Sequence, residues 1–161
     1  MRALVAYYSR TGNNEKLVNE LQAKLACDIE KIVDTANRKG IWGYLNGGRQ
    51  AYMKRMSKIE PVHKDPSNYD LVILAYPLWS SRMPPAIRSY IFENKSKFNR
   101  VAFMSVSVSG EGNKNTIPDF ETAVGKKPSA ILMLKEADLR PSGYEKRLQE
   151  FSESLLRLIQ S

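Results

Sequence analysis

The residues best suited to chemistry in this chain are Ser9, Arg10, Thr11, Gly12, Asn13 and Asn14. They follow the apolar run Ala3-Leu4-Val5-Ala6 and the pair Tyr7-Tyr8, and they precede Leu17, Leu21 and Leu25, which repeat at helical spacing. A loop between a buried strand and a helix start is a ready anion site, because the first N–H groups of a helix lack partners and its dipole is positive there. Ser9 and Thr11 add hydroxyl donors, Asn13 and Asn14 add amide donors, and Gly12 permits close backbone approach. Such a loop would wrap a phosphate monoester without a lysine. The same residues would equally make a well-capped helix start with a polar turn. Competing phosphate motifs fail: no G-x-x-x-x-G-K-[ST] exists, and Gly110-x-Gly112-x-x-Asn115 lacks the third glycine of a dinucleotide fingerprint.

A second loop, "AYPLWSSRMPPAIRSYI" from Ala75 to Ile91, leaves the most apolar run of the chain. It sets Trp79 among small polar residues, with Pro77, Pro84 and Pro85 stiffening the turn. An indole at the end of a strand suits stacking on a flat ring, and it suits packing on the next helix as well. His63, the only histidine, is expected at the surface with no chemical role, and no Ser/His/Asp or metal-ligand constellation is legible.

Positioning these loops requires a regular frame. Apolar runs recur at Ala3–Tyr8, Asp28–Val33, Leu71–Ala75, Val101–Val108 and Ala130–Leu134. The first, third and fifth are apolar at consecutive positions, as expected of strands covered on both faces. The fourth alternates Met104, Val106 and Val108 with Ser105, Ser107 and Ser109, which reads as a half-exposed strand or the beginning of a polar loop. Helical spacing joins Ile117, Phe120 and Val124, and again Leu148, Phe151, Leu155 and Leu158, the latter opened by a Ser142-x-x-Glu145 capping box. Further helices are expected from about Tyr44 to Met56 and from Pro85 to Phe92, with a glycine-bearing surface loop from Asn37 to Gly48. Strand–helix alternation implies one α/β domain over residues 1–161 with a doubly wound parallel sheet. Ligands of such sheets bind beyond the carboxyl ends of the strands.

The segment "YYSRTGNNEKLVNEL" resembles the phosphate loop of the flavodoxin family, and "YDLVILAYPLWSSRMPPAIRSYI" resembles its third strand and isoalloxazine loop. Order, spacing and length match a short flavodoxin over nearly the whole chain. The resemblance implies a flavodoxin-like three-layer sandwich, with a five-stranded parallel sheet in the order 2-1-3-4-5 and helices on both faces. It implies FMN, with Ser9, Arg10, Thr11, Gly12, Asn13 and Asn14 around the phosphate and Pro77, Leu78, Trp79 and Ser80 against the flavin. The third family loop falls around Ser105 to Gly112, bringing in Ser105, Ser107 and Gly110. The chain departs from the family in having no aromatic residue between Ser105 and Ile117 and no glycine in Ser80-Ser81-Arg82. Arg82 lies where a cation would favour a reduced, anionic flavin, or where it would simply point into solvent.

Composition sets the outer limits. A 161-residue chain with 42% apolar and 26% charged residues is ordinary for one globular domain. Cys27 is the only cysteine, so no internal disulfide forms, and the apolar run at the N-terminus is too short for a signal or a membrane span. The protein is expected in the cytoplasm. Its formal charge is +8, and the stretch from Lys31 to Lys64 alone carries eight basic against two acidic residues. Such a stretch suits an acidic redox partner protein, while the interleaved aromatics of a nucleic-acid platform are missing. The expected role is an FMN-binding electron carrier; the alternative is an NAD(P)H-dependent FMN reductase acting on quinones or similar acceptors.

Overall fold

A computed structural model describes residues 2–36, 40–140 and 143–160. The Ser142 half of the expected capping box lies outside these residues, as do Arg38 and Lys39 of the basic stretch. The elements alternate as β1 (Ala3–Tyr7), α1 (Asn13–Leu25), β2 (Asp28–Lys31), α2 (Gly40–Tyr52), β3 (Leu71–Ala75), α3 (Pro85–Asn94), β4 (Arg100–Ser107), α4 (Thr116–Val124), β5 (Ile131–Lys135) and α5 (Glu145–Gln160). The strands form one parallel sheet in the order β2-β1-β3-β4-β5, as the family resemblance implies.

Period-two alternation divides the buried strands between two apolar layers. Val5, Ile73, Ala102 and Met104 face α1 and α5, meeting Leu17, Leu21, Leu148 and Leu155. Ala6, Val72, Leu74 and Phe103 face α3 and α4, meeting Ile87, Tyr90 and Phe120. Strands β1 and β3 are buried at every position, which explains their unbroken apolar runs.

Two expectations about strands need correction. Ser105 and Ser107 are buried, because β4 lies between β3 and β5 with both faces covered, so the alternation does not mark an open face. Strand β5 is an edge strand with Ile131 exposed, so its consecutive apolar residues are not covered on both sides.

From Gly40 on, the expected surface loop from Asn37 to Gly48 is overturned by α2, while Asn37 to Lys39 lie outside the described residues. Four glycines in a helix are costly, each by about 1 kcal/mol relative to alanine. Packing reverses the preference here. Gly43, Gly47 and Ala51 recur every fourth residue and are buried, and a Cβ on Gly47 would lie 2.8 Å from the Trp79 ring. Only a bare backbone lets the helix come this close.

Cys27 lies buried in the α1–α5 layer, and burial pushes its thiol from the ordinary 9.0 up to about 11. At pH 8 that leaves roughly one hundredfold less thiolate than an unburied cysteine would show. Native protein is therefore expected to react with a thiol-exchange reagent at least about a hundredfold more slowly than protein unfolded in guanidinium. Comparable rates in the two states would contradict this placement.

Candidate functional site

At the carboxyl edge of the sheet lies a cavity of about 470 Å³, bordered by the loops after β1, β3 and β4 and by one side of α2. Its volume falls in the range of small-molecule sites. Of the residues singled out from sequence, Arg10, Thr11, Pro77, Leu78, Trp79, Ser80 and Ser107 line it.

The loop after β1 closes on itself, with the Gly12 N–H donating to Ser9 Oγ at 3.1 Å. Gly12 occupies the N-cap position of α1 with φ +90°, a left-handed conformation natural to glycine. No side chain caps the helix there. With glycine at the N-cap, no side chain of that residue covers the first turn of α1, whose N-terminal end follows directly on Thr11. Glu15, a carboxylate in that same turn, would repel an anion. It is held by Lys31 Nζ at 2.8 Å and by the Tyr7 hydroxyl, which donates to it at 2.8 Å. The Lys31 contact is the main reason the Glu15 carboxyl sits below its ordinary range. Burial first, and then Glu15, push the Tyr7 phenol upward, so it remains a donor.

Asn14 turns the other way. Its Nδ2 donates to the Val106 carbonyl and its Oδ1 accepts from the Val106 N–H, both at 2.9 Å, so this buried amide bolts α1 to β4. The expected donation by its side chain to a phosphate is thus corrected. Asn14→Ala leaves both backbone groups of Val106 unpaired, at about 1–3 kcal/mol each. The expected result is a loss of roughly 2–6 kcal/mol in chemical denaturation. A neutral substitution would contradict the bolt.

The loop after β3 makes a tight hairpin turn. Trp79 and Arg82 exchange both backbone hydrogen bonds, at 2.9 and 3.0 Å, while Ser80 and Ser81 take φ of +51° and +58°. Serine pays about 1–2 kcal/mol for each such conformation. The start of α4 restrains the turn: Thr116 Oγ1 donates to the Ser81 carbonyl at 3.0 Å, and Asp119 Oδ2 accepts from the Met83 N–H at 3.3 Å. Trp79 rests edge-on against Tyr8, with ring centroids 5.5 Å apart at 82°, and against Gly47 of α2. Its indole therefore serves as packing and as cavity wall at once. Arg82 reaches Asp119 at 3.9 Å and does not line the cavity, so it takes neither of the two places expected for it, beside a flavin or out in solvent.

In the loop after β4, Ser107 Oγ donates to the Gly110 carbonyl at 3.2 Å, shaping the turn. Ser105 lies wholly inside the sheet, away from the cavity, and Ser9, Asn13 and Gly110 also stand outside its lining. The same loop presents Val108, which is 75% exposed, to the cavity. Sequence reasoning missed Leu45, Gly48 and Arg49 of α2, and Glu136 after β5. No motif marks them; α2 itself was read in part as a loop.

The 2-1-3-4-5 parallel sheet with its cavity at the carboxyl edge defines a flavodoxin-like fold. Solved structures agree with this assignment. The chain is similar to a flavoprotein from Lactobacillus acidophilus NCFM, solved in complex with FMN (TM-score 0.73, 16% identity, 94% of this chain and 98% of that one). It is also similar to the Fusobacterium nucleatum flavodoxin bound to flavin mononucleotide (TM-score 0.58, 15% identity, 98% of each chain). A third is the flavodoxin of Streptococcus pneumonia TIGR4 (TM-score 0.56, 14% identity, 98% and 99%). No protein-family model and no curated protein matches the sequence.

Proposed function

We propose that the protein is an FMN-binding electron-transfer protein. The observation that carries this reading is the open, uncapped first turn of α1 beside a cavity walled by Trp79. The residues fit the group: Thr11, Arg10 and the backbone of Ser9–Asn14 offer donors to a phosphate at one end, and Pro77, Leu78, Trp79 and Ser80 offer a flat apolar wall at the other. Arg10 and Arg49 against Glu136 leave the lining cationic, which favours a dianionic phosphate. Bound there, FMN would supply reversible redox chemistry, while the protein holds the cofactor and excludes water from one face. The FMN complexes among the similar structures support the same reading.

Thr11→Val tests the phosphate end. It is expected to weaken FMN by about 1.5–3 kcal/mol, roughly ten- to a hundredfold, and to leave riboflavin binding nearly unchanged. Equal losses for both ligands would contradict the assignment.

A second reading, an NAD(P)H-dependent reductase, is favoured by Val108, an exposed cavity-lining residue of the loop after β4, which offers no aromatic ring to cover a flavin. Anaerobic mixing of the FMN-loaded protein with excess NADPH or NADH separates the two. A carrier is reduced slowly by the nucleotide alone and takes electrons from dithionite in two resolved stages. Complete reduction within seconds, with turnover on a quinone, establishes the reductase.

A further inference from the structure

Helix α2 is built inside out. Its small residues, Gly43, Gly47 and Ala51, face the body of the protein, and at 100° per residue the opposite side carries Ile41, Trp42, Leu45, Arg49 and Tyr52. Trp42 is 81% exposed and Ile41 71%, and exposed Met53 and Met56 prolong the surface past the helix end. Isolated apolar residues on a surface need no explanation, but a contiguous set on one helix face marks an interaction site.

Along the stretch of chain that carries this face the charge is of one sign. Between Asp34 and Glu60 the sequence contains no carboxylate, and Arg49, Lys54, Arg55 and Lys58 are exposed along the same stretch. Lys54 is drawn partly inward toward Asp119, at 3.5 Å. No helix among the described residues is long and apolar enough to cross a membrane, so this one would lie along a surface.

We infer that α2 is a peripheral docking element for an anionic lipid surface. A protruding tryptophan and tyrosine suit the headgroup boundary, and isoleucine, leucine and the methionines suit the acyl region just beneath. Lysine and arginine reach anionic headgroups while their stems lie along the apolar layer. A second copy of the chain is a poor occupant, because two-fold pairing through α2 would set Arg49, Arg55 and Lys58 of one protomer against the same cations of its partner. An acidic protein would satisfy the charge but would have to match Ile41, Trp42, Leu45 and Tyr52 with an apolar surface of its own. Leu45 and Arg49 belong to this face and to the cavity lining alike, so docking brings the cavity rim to the lipid surface. The inference is read from α2 alone and stands whether or not a flavin fills the cavity.

The test uses the full chain, with and without FMN, in flotation with phosphatidylcholine vesicles containing about 30% phosphatidylglycerol, and with pure phosphatidylcholine vesicles. Binding is expected to the first and not to the second, and Trp42 emission is expected to be quenched by brominated acyl chains. Ile41→Asn with Trp42→Asn should lower the bound fraction by about tenfold or more, with thermal stability and flavin affinity retained. Arg55→Glu with Lys58→Glu should weaken binding by about fivefold for each charge removed, in a salt-dependent way. Absence of vesicle binding, or binding indifferent to the apolar double variant, overturns the inference. So does binding to polyglutamate without binding to vesicles, which would assign the face to an acidic protein. A dimer that Trp42→Asn dissociates would likewise overturn it, in favour of self-association.

Discussion

Asp119→Ala is expected to lower the unfolding free energy by about 3–5 kcal/mol, the usual consequence of removing one member of a buried charge cluster. Its carboxylate is only 2% exposed and receives Arg88 at 2.7 Å, Lys54 at 3.5 Å and Arg82 at 3.9 Å, besides the Met83 N–H. Four separate segments therefore meet on one side chain: the start of α4, helix α3, the turn after β3 and the chain just past α2. Without it, three cations face one another with no counter-charge, and the Met83 N–H loses its acceptor. For a domain of this size the melting temperature should fall by roughly 10 °C. Asp119→Asn should recover part of the loss, since it keeps an acceptor while giving up the charge. A change below about 1 kcal/mol in urea unfolding would mean that the cluster is held by its surroundings.

Trp79→Ala is expected to weaken FMN and riboflavin alike, by about tenfold or more, and to restore flavin fluorescence in whatever complex remains. The two ligands share the ring that the indole would face and differ only in the phosphate, which Trp79 does not approach in this reading. The same substitution removes the packing of the indole on Tyr8 and Gly47, so a stability loss of about 2 kcal/mol should accompany it. Gly47→Ala offers an independent check. Its new methyl would push on the indole from behind without deleting it, and should disturb flavin affinity in the same direction. Unchanged flavin fluorescence on removing Trp79 would confine the residue to packing.

The legibility of this fold in the sequence follows its burial. Strands β1 and β3 are covered on both faces, so their runs were continuous and their ends sharp, and the loops behind them could be placed. Strand β5 shares the apolar content but lies at the edge, a distinction that composition does not carry. Helix α2 was illegible at its beginning, because glycine argues locally for a loop and only the approach of Trp79 argues for a helix. Leu45 and Arg49 fell within the expected helix, but nothing in the sequence showed that this helix borders the cavity. The inward turn of the Asn14 side chain was illegible for a different reason. An asparagine in a polar loop can donate outward to a ligand or inward to a strand, and nothing in its neighbours decides between them. Arg82 is similar, since its counter-charge Asp119 lies far along the chain.

The central claim, a terminal phosphate at the first turn of α1 with a flavin against Trp79, is tested most directly by titrating the flavin-free protein with FMN and with riboflavin. Saturable quenching of flavin fluorescence is predicted, with FMN bound at micromolar concentration or tighter and riboflavin at least about tenfold more weakly. No binding of FMN at micromolar concentration, or equal affinity for the two flavins, would contradict it.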